Sequence, residues 1–237
     1  MQVEIWSDIM CPFCYIGKRH FEAALQQIPN RDLLEVEWKS FQLDPSIPER
    51  MDKNTSVYEY LAERKGISLA DSEAMHVQVI EMARNAGLDY RFDKAIVANS
   101  LNAHRLIQMA KTKGLGDLAE EKLFHAYFTD GKDLADRNTL REIGVSIGLT
   151  EAEVTAALQD DQYAYAVHQD IQEGQQLGVR GVPFFVFDRK YGISGAQPVE
   201  AFVQTITQSL DEWTEKHKPM IRTVSEGQVC STDGNCD

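Results

Sequence analysis

The chain has 237 residues, enough for a sizeable hydrophobic core in one fold with a large insertion or in two domains. Its 24 Lys and Arg against 37 Asp and Glu give a net charge of -13, which would repel phosphate backbones and anionic lipid headgroups. We therefore expect no nucleic-acid and no membrane partner. The N-terminus lacks the basic start and apolar stretch of a signal peptide, so the sequence predicts a cytoplasmic protein.

A β-α-β unit opens the chain. A β-prone run at residues 3–6 leads to a pair of cysteines, after which apolar residues recur at helical spacing as far as Pro29. Residues 34–43 then begin with alternating apolar and charged side chains, which is typical of a half-buried strand. The cysteine pair is therefore expected at the first strand-to-helix turn.

The rest of the chain divides into a helical middle and a β-β-α end. Residues 50–178 show helical periods and no convincing strand. The apolar run 184–187 predicts a central strand, and a short strand is expected at 191–194. A last helix follows Pro198, with one apolar stripe that should cover a sheet face.

This order of elements predicts an α/β fold of the thioredoxin-like type with a large all-helical domain inserted in the middle. Residues 1–48 and 179–217 would form the discontinuous thioredoxin-like domain, and residues 49–178 the helical insertion. Residues 218–237 would form a C-terminal tail that carries a second cysteine pair. The cysteine turn is expected at the carboxyl end of a central strand, where α/β proteins place their sites.

Cys11 and Cys14 are the predicted catalytic residues. A helix start stabilises a thiolate through its free N–H groups and its dipole, which favours Cys11 as the exposed nucleophile. Cys14 lies one turn further and would resolve the mixed disulfide. The spacing inside a β-α-β unit is typical of redox chemistry, which requires no metal or organic cofactor.

Val182 and Pro183 are the predicted substrate-binding backbone. Thioredoxin-like sites need a cis proline at the start of the strand that faces the disulfide, since the cis bond turns the preceding backbone toward a substrate strand. We therefore expect a cis Val182–Pro183 bond beside Cys11. An ordinary trans proline at a strand edge is the alternative.

Cys230 and Cys236 form the second pair and are predicted to act as an accessory redox pair. Asp233-Gly234 supplies a turn between them, and closing so small a loop costs little entropy. The alternative is a zinc site that joins them to Cys11 and Cys14, although their spacing is longer than usual for zinc.

Four segments together resemble the FrnE branch of the DsbA-like oxidoreductases, and the resemblance covers nearly the whole chain. The segments are Cys-Pro-Phe-Cys-Tyr-Ile-Gly-Lys from residue 11, Asn-Ala-His-Arg-Leu from 102, Gly-Val-Arg-Gly-Val-Pro-Phe-Phe from 178 and Ile-Ser-Gly-Ala-Gln-Pro from 193. Proteins of this branch are similarly cytoplasmic, and some carry a C-terminal cysteine pair. DsbA has histidine where this chain has Phe13, so strong oxidising power is not implied.

The resemblance implies a dithiol-disulfide oxidoreductase or isomerase that acts on protein thiols and disulfides. Phe13 and His104 are also predicted to contact the substrate. For His104 the reason is that the equivalent helix lines the cleft in related transferases. A structural hydrogen bond is the plainer interpretation of His104. The oligomeric state stays open.

Two other functions compete. The segment around His104 is also similar to kappa-class glutathione transferases and 2-hydroxychromene-2-carboxylate isomerases, which usually carry serine at the position of Cys11. A glutathione-dependent isomerase or transferase is therefore the alternative enzyme, with glutathione as its partner. The third hypothesis is a non-catalytic binding or chaperone module in which the cysteines only bind zinc.

Overall fold

A computed structural model of the chain describes residues 1–49 and 55–218. Its strands are β1 (Gln2–Ser7), β2 (Glu35–Ser40), β3 (Phe184–Phe187) and β4 (Tyr191–Ser194). Its α-helices are α1 (Pro12–Leu25), α2 (Val57–Lys65), α3 (Leu69–Asn85), α4 (Leu101–Lys111), α5 (Gly116–Phe128), α6 (Arg137–Ser146), α7 (Glu151–Gln159), α8 (Asp161–Gln176) and α9 (Val199–Lys216). No helix within these residues is long and apolar enough to span a membrane.

The strands form one sheet in the order β2-β1-β3-β4. β1 runs parallel to β2 and antiparallel to β3, with Ile5 opposite Phe185 and Trp6 opposite Phe184. β1 is therefore a central strand, with β2 on one side and β3 on the other. In the sequence, all the inserted helices lie between β2 and β3. The predicted order of elements and the thioredoxin-like fold with inserted helices are confirmed. The proposed division into domains at residues 48, 178 and 217 stays a prediction.

Two predicted boundaries differ from the structure. β2 ends at Ser40 rather than near residue 43, because the chain then bends and the Leu43 N–H donates to the carboxylate of Asp8 at 2.7 Å instead of to a strand. α1 ends at Leu25, three residues before Ile28, which packs into the core after a turn.

Two main clusters of buried side chains form the core. One lies between the sheet and helices α1 and α9, where the predicted stripe of α9 buries Phe202, Ile206 and Leu210. The other joins the helices of the insertion to the active-site end of α1, and it includes Cys14 and Ile16. The cysteine turn therefore rests on the inserted helices as well as on its own sheet.

Asp170 of α8 connects the inserted helices to the sheet. Its carboxylate accepts hydrogen bonds from the Ser40 N–H at 2.9 Å and the Gln108 amide at 2.6 Å, while its carbonyl accepts from the Trp6 indole N–H at 2.7 Å. Gly174, one turn further along α8, lies against the Trp6 ring, where a Cβ would be 2.6 Å from Nε1. These contacts hold the end of β1 in a fixed position.

Candidate active site

The cysteine turn follows β1 directly. The Cys11 N–H donates to the Asp8 carbonyl at 2.9 Å, and Cys11 is the N-cap of α1, with Pro12 at its first position. Pro12 fits there because the first helical N–H groups have no partner inside the helix. The Cys14 N–H donates back to the Cys11 carbonyl at 3.0 Å, which closes the turn.

Cys11 and Cys14 are both free thiols. The Cys11 thiol donates to the carbonyl of Val182 at 3.4 Å, so the two predicted parts of the site lie together. Cys11 is only 3% exposed, whereas the sequence predicts an exposed nucleophile. The Val182 carbonyl is one of the groups that contact the sulfur, and Cys11 also belongs to the buried cluster formed with the inserted helices.

The Val182–Pro183 peptide bond is cis, as predicted. It stands immediately before β3, and because Phe184 pairs with Trp6, the proline lies beside the end of β1. A Cβ on Gly17 of α1 would be 3.0 Å from Pro183 Cγ, so glycine is what lets the helix approach the proline this closely. No sequence pattern marks Gly17 for this contact.

Cys14 is completely buried beneath Cys11. Burial raises the pKa of its thiol well above the ordinary value, and the neighbouring Cys11 raises it further. The backbone N–H of Asp8 and the side chain of Ser7 lower it, since both favour a thiolate. The Cys14 thiol is therefore protonated, and it becomes a thiolate only when a base removes its proton.

Phe13, between the cysteines, is 39% exposed and presents an apolar surface beside Cys11. The carbonyl of its neighbour Pro12 accepts a hydrogen bond from the buried Tyr90 hydroxyl at 2.7 Å. Burial raises the pKa of Tyr90 well above its ordinary value, and the charges of Cys11 and Cys14 add to this, so the hydroxyl stays protonated as a donor.

His104 has no exposed surface and lies in the interior rather than on a surface cleft. Its Nε2 is 3.4 Å from Oδ1 of Asp8, which is itself buried, but neither ring nitrogen has a hydrogen bond of ordinary geometry within the described residues. The Asp8 carboxylate also accepts hydrogen bonds from the N–H groups of Met10 at 3.2 Å and Leu43 at 2.7 Å. Asp8, which no sequence pattern marks as a site residue, thus lies between the cysteine turn and α4.

Glu120 of α5 is another buried acid that no sequence pattern marks. Burial raises its pKa to about 8; the charges of Asp117 and Asp8 act in the same direction, while Lys18 and Lys111 oppose them. Its carboxyl oxygens have no hydrogen-bond partner within the described parts of the chain. Glu120 is therefore protonated at neutral pH.

The remaining predicted site residues, Cys230 and Cys236, lie outside the described residues. Their predicted role as an accessory pair stays a prediction, and so does the zinc alternative that depends on them.

Comparisons with known proteins identify the family and the fold of the chain. The family model of the DSBA-like thioredoxin domain matches residues 2–207. The structure is similar to that of the probable DsbA oxidoreductase SCO1869 from Streptomyces coelicolor, with 38% identity, a TM-score of 0.83, and coverage of 100% of this chain and 98% of that one. An uncharacterized protein of Bacillus subtilis, YwbO, is 23% identical over 209 residues, which are 87% of this chain and 96% of that protein.

More distant similarities concern the fold alone. The cytosolic disulfide reductase DsbM from Pseudomonas aeruginosa is 16% identical, with a TM-score of 0.64 and coverage of 90% of this chain and 100% of that one. A 2-hydroxychromene-2-carboxylate isomerase is 13% identical, with a TM-score of 0.65 and coverage of 92% and 100% respectively.

Proposed function

We propose, because this chain belongs to the DsbA-like thioredoxin family, that its oxidoreductase activity is thiol-disulfide exchange carried out by Cys11 and Cys14. One observation supports this most directly. A free thiol at the start of α1 lies 3.4 Å from the carbonyl that precedes a cis proline, with a second free thiol buried beneath it. Both sulfurs needed for a two-step exchange are therefore in one turn.

The exchange proceeds through a mixed disulfide. Cys11, at the N-terminus of α1, attacks one sulfur of a substrate disulfide as a thiolate and expels the other as a thiolate. The Cys14 thiolate then attacks the Cys11 sulfur, and the substrate leaves fully reduced. Two electrons pass from the dithiol to the substrate, and the same steps in reverse oxidise a substrate dithiol.

We propose protein thiols and disulfides as the substrates, bound at Val182, Pro183 and Phe13. The Val182 carbonyl contacts the Cys11 thiol, so a peptide that pairs with this backbone would bring its own sulfur to Cys11. The exposed ring of Phe13, two residues after Cys11, adds an apolar surface for such a peptide. We also propose that the chain is of the FrnE-like branch, which its motifs support. We propose the cytoplasm as its compartment, which the similarity in fold to the cytosolic DsbM supports.

A glutathione-dependent isomerase or transferase is the second candidate. The similarity in fold to a 2-hydroxychromene-2-carboxylate isomerase and to DsbM, which has also been solved with GSH, supports glutathione as a partner. The two functions differ in their need for Cys14. Isomerase or transferase chemistry would survive its loss, whereas disulfide reduction requires a resolving thiol.

Single serine substitutions test the proposal. With dithiothreitol as reductant and insulin as substrate, Cys11→Ser should abolish reduction, and Cys14→Ser should accumulate a mixed disulfide visible by mass spectrometry. The double variant is the control and should form no mixed disulfide at this site. Near-normal reduction by Cys11→Ser would contradict the mechanism, and a glutathione-driven isomerisation by Cys14→Ser would favour the second candidate.

A further inference from the structure

A small pocket lies between helices α6 and α7, which are joined by residues 147–150. Near this connection the two helices approach closely, because a Cβ on Gly144 of α6 would be only 2.4 Å from Cγ2 of Val154 on α7. Away from it they leave a pocket of about 110 Å³. Pockets for organic ligands usually measure roughly 300–1,000 Å³, so this one suits a small ion. Its polar lining consists of Arg137, Asn138, Arg141, Thr155 and Gln159.

Two arginines border this space, which we call the arginine pocket. Arg137 and Arg141 are four residues apart on α6, so their side chains leave the helix on the same face. Both residues are exposed, whereas Val154 and Leu158, which also line the pocket, are buried. Two positive charges therefore border a concave surface with an apolar base.

Neither arginine is neutralised by the part of the chain that the structure describes. Arg19, by contrast, forms ion pairs with Glu22 and Glu121. The guanidinium groups of Arg137 and Arg141 have no ion pair and no hydrogen bond within the described residues. Like charges one helical turn apart destabilise a helix. A bound anion would relieve this repulsion.

The acidic side chains near the pocket are engaged elsewhere or lie outside it. The carboxylate of Asp136 accepts a hydrogen bond from the N–H of Asn138 at 3.2 Å and thereby caps α6. Asp160 caps α8 in the same way, accepting from the N–H of Gln162 at 3.0 Å and from its side-chain amide at 2.6 Å. Glu142, the next acid on α6, does not line the pocket. The positive charge of the pocket is therefore not cancelled by these carboxylates.

The helix ends beside the pocket also leave it positive. α6 begins at Arg137, so the positive end of its dipole lies at the pocket. α7 ends at Gln159, where its free carbonyls would oppose an anion. Arg105 of α4 offsets this negative end, because its guanidinium group donates to the carbonyls of Ala157 at 3.0 Å and Asp160 at 3.1 Å.

We propose that the arginine pocket binds a phosphate group, either as the free ion or as a small phosphate ester. Guanidinium groups donate paired hydrogen bonds to phosphate oxygens, and a phosphate monoester carries a charge of about −1.5 to −2 near pH 7. Arg137 and Arg141 together balance this charge, while a monocarboxylate would leave one arginine uncompensated. Asn138, Thr155 and Gln159 carry amide and hydroxyl donors for the remaining oxygens. The inference is independent of the exchange chemistry.

A phosphorus NMR titration of the full-length protein measures this binding. Inorganic phosphate should bind the parent protein at neutral pH, and an equal concentration of acetate should not displace it. Phenyl phosphate distinguishes the two sources of the group. If it binds more tightly than inorganic phosphate, by contact with the apolar base at Val154 and Leu158, the ligand is an ester. Equal or weaker binding identifies the free ion.

Arg137→Gln and Arg141→Gln should each weaken phosphate binding about tenfold or more, because each removes a charge and a pair of donors. Arg84→Gln is the matched control. It removes the same charge from an exposed position of α3 that does not line the pocket, and it should change the dissociation constant by less than about twofold. All three variants should reduce insulin at the parent rate, because the pocket is built from α6 and α7 rather than from the cysteine turn.

Three results would overturn the proposal. The first is the absence of phosphate binding to the parent protein. The second is equally tight binding by the folded variants Arg137→Gln, Arg141→Gln and Arg84→Gln. The third is displacement of phosphate by an equal concentration of acetate, which would show that the pocket does not select a doubly charged anion. Circular dichroism establishes that each variant is folded.

Discussion

The hydroxyl of Tyr90 donates a hydrogen bond of 2.7 Å to the carbonyl of Pro12, inside the turn that holds both thiols. Tyr90 belongs to the inserted helical region, and its ring stacks on that of Phe128 with centroids 4.5 Å apart. The turn between Cys11 and Cys14 is thus held from the side by a residue far away in the sequence. The insertion supports the geometry of the reactive site directly.

Tyr90→Phe should therefore destabilise the fold. Loss of the hydroxyl leaves the part-buried Pro12 carbonyl without this donor, and a hydrogen bond of this kind contributes about 0.5–1.5 kcal/mol. Urea denaturation followed by circular dichroism measures the change. Tyr165→Phe removes the hydroxyl of an exposed tyrosine and should change the free energy of unfolding by less than about 0.5 kcal/mol. Equal stability of the two variants would show that the hydrogen bond contributes nothing.

Gly174→Ala should destabilise the contact between α8 and the sheet. The new Cβ would lie 2.6 Å from Nε1 of Trp6, a completely buried ring that cannot move aside, and overpacking of this kind costs about 1–3 kcal/mol. Thermal and urea unfolding measure the loss. Gly181→Ala is the control, because a Cβ there has no atom within 4 Å. A Gly174→Ala protein as stable as the parent would mean that Trp6 repacks.

Glu120 should make the folded state less stable as the pH rises. Its folded pKa is raised by burial to about 8 from the ordinary value of 4.5, so between these pH values the folded state binds one proton more than the unfolded state. Stability from this group therefore falls by about 1.4 kcal/mol per pH unit across that window and is constant above it.

Glu120→Gln should remove this slope. The free energy of unfolding, measured in urea at pH 5.5 and 7.5, should fall less with pH in the variant than in the parent. Glu142→Gln, at an exposed position of α6, should keep the parent's dependence. A parent and a Glu120→Gln variant with the same slope would show that the Glu120 carboxyl is not buried in protonated form.

The pair Cys230 and Cys236 is predicted to exchange electrons with Cys11 and Cys14. After oxidised full-length protein is mixed with limiting dithiothreitol, thiol trapping should find a reversible Cys230–Cys236 disulfide. The double variant Cys230→Ser with Cys236→Ser should then show a different reduction potential and reduction rate at Cys11 and Cys14. If the reduction potential and the reduction rate were both unchanged, the second pair would take no part in the exchange.

The local parts of the site could be predicted from the sequence. Cys11, Cys14 and Pro183 were identified because a two-residue spacing after a strand and a proline before an apolar run are short-range patterns. Their proximity followed from the order of strands, since β1 and β3 had to be neighbours in the sheet. The central position of β1 needed no information beyond these patterns.

The supporting residues could not be predicted in this way. Asp8 and His104 lie on different elements, and neither position carries a pattern that says it will meet the other inside the protein. Glu120 and Glu121 are adjacent acids on one helix, about 100° apart around its axis, so composition does not say which one faces inward. The structure buries Glu120 and pairs Glu121 with Arg19 and Tyr15.

The carbonyl that contacts Cys11 belongs to a residue 171 positions later in the chain. At about 5–20 residues per second, a ribosome would need roughly ten to thirty seconds to deliver Val182 after Cys11. During that interval the two thiols exist without the strand that completes their site, and closing so long a loop is itself entropically slow. The nascent chain therefore exposes both thiols before the residue that contacts Cys11 in the folded protein has been made.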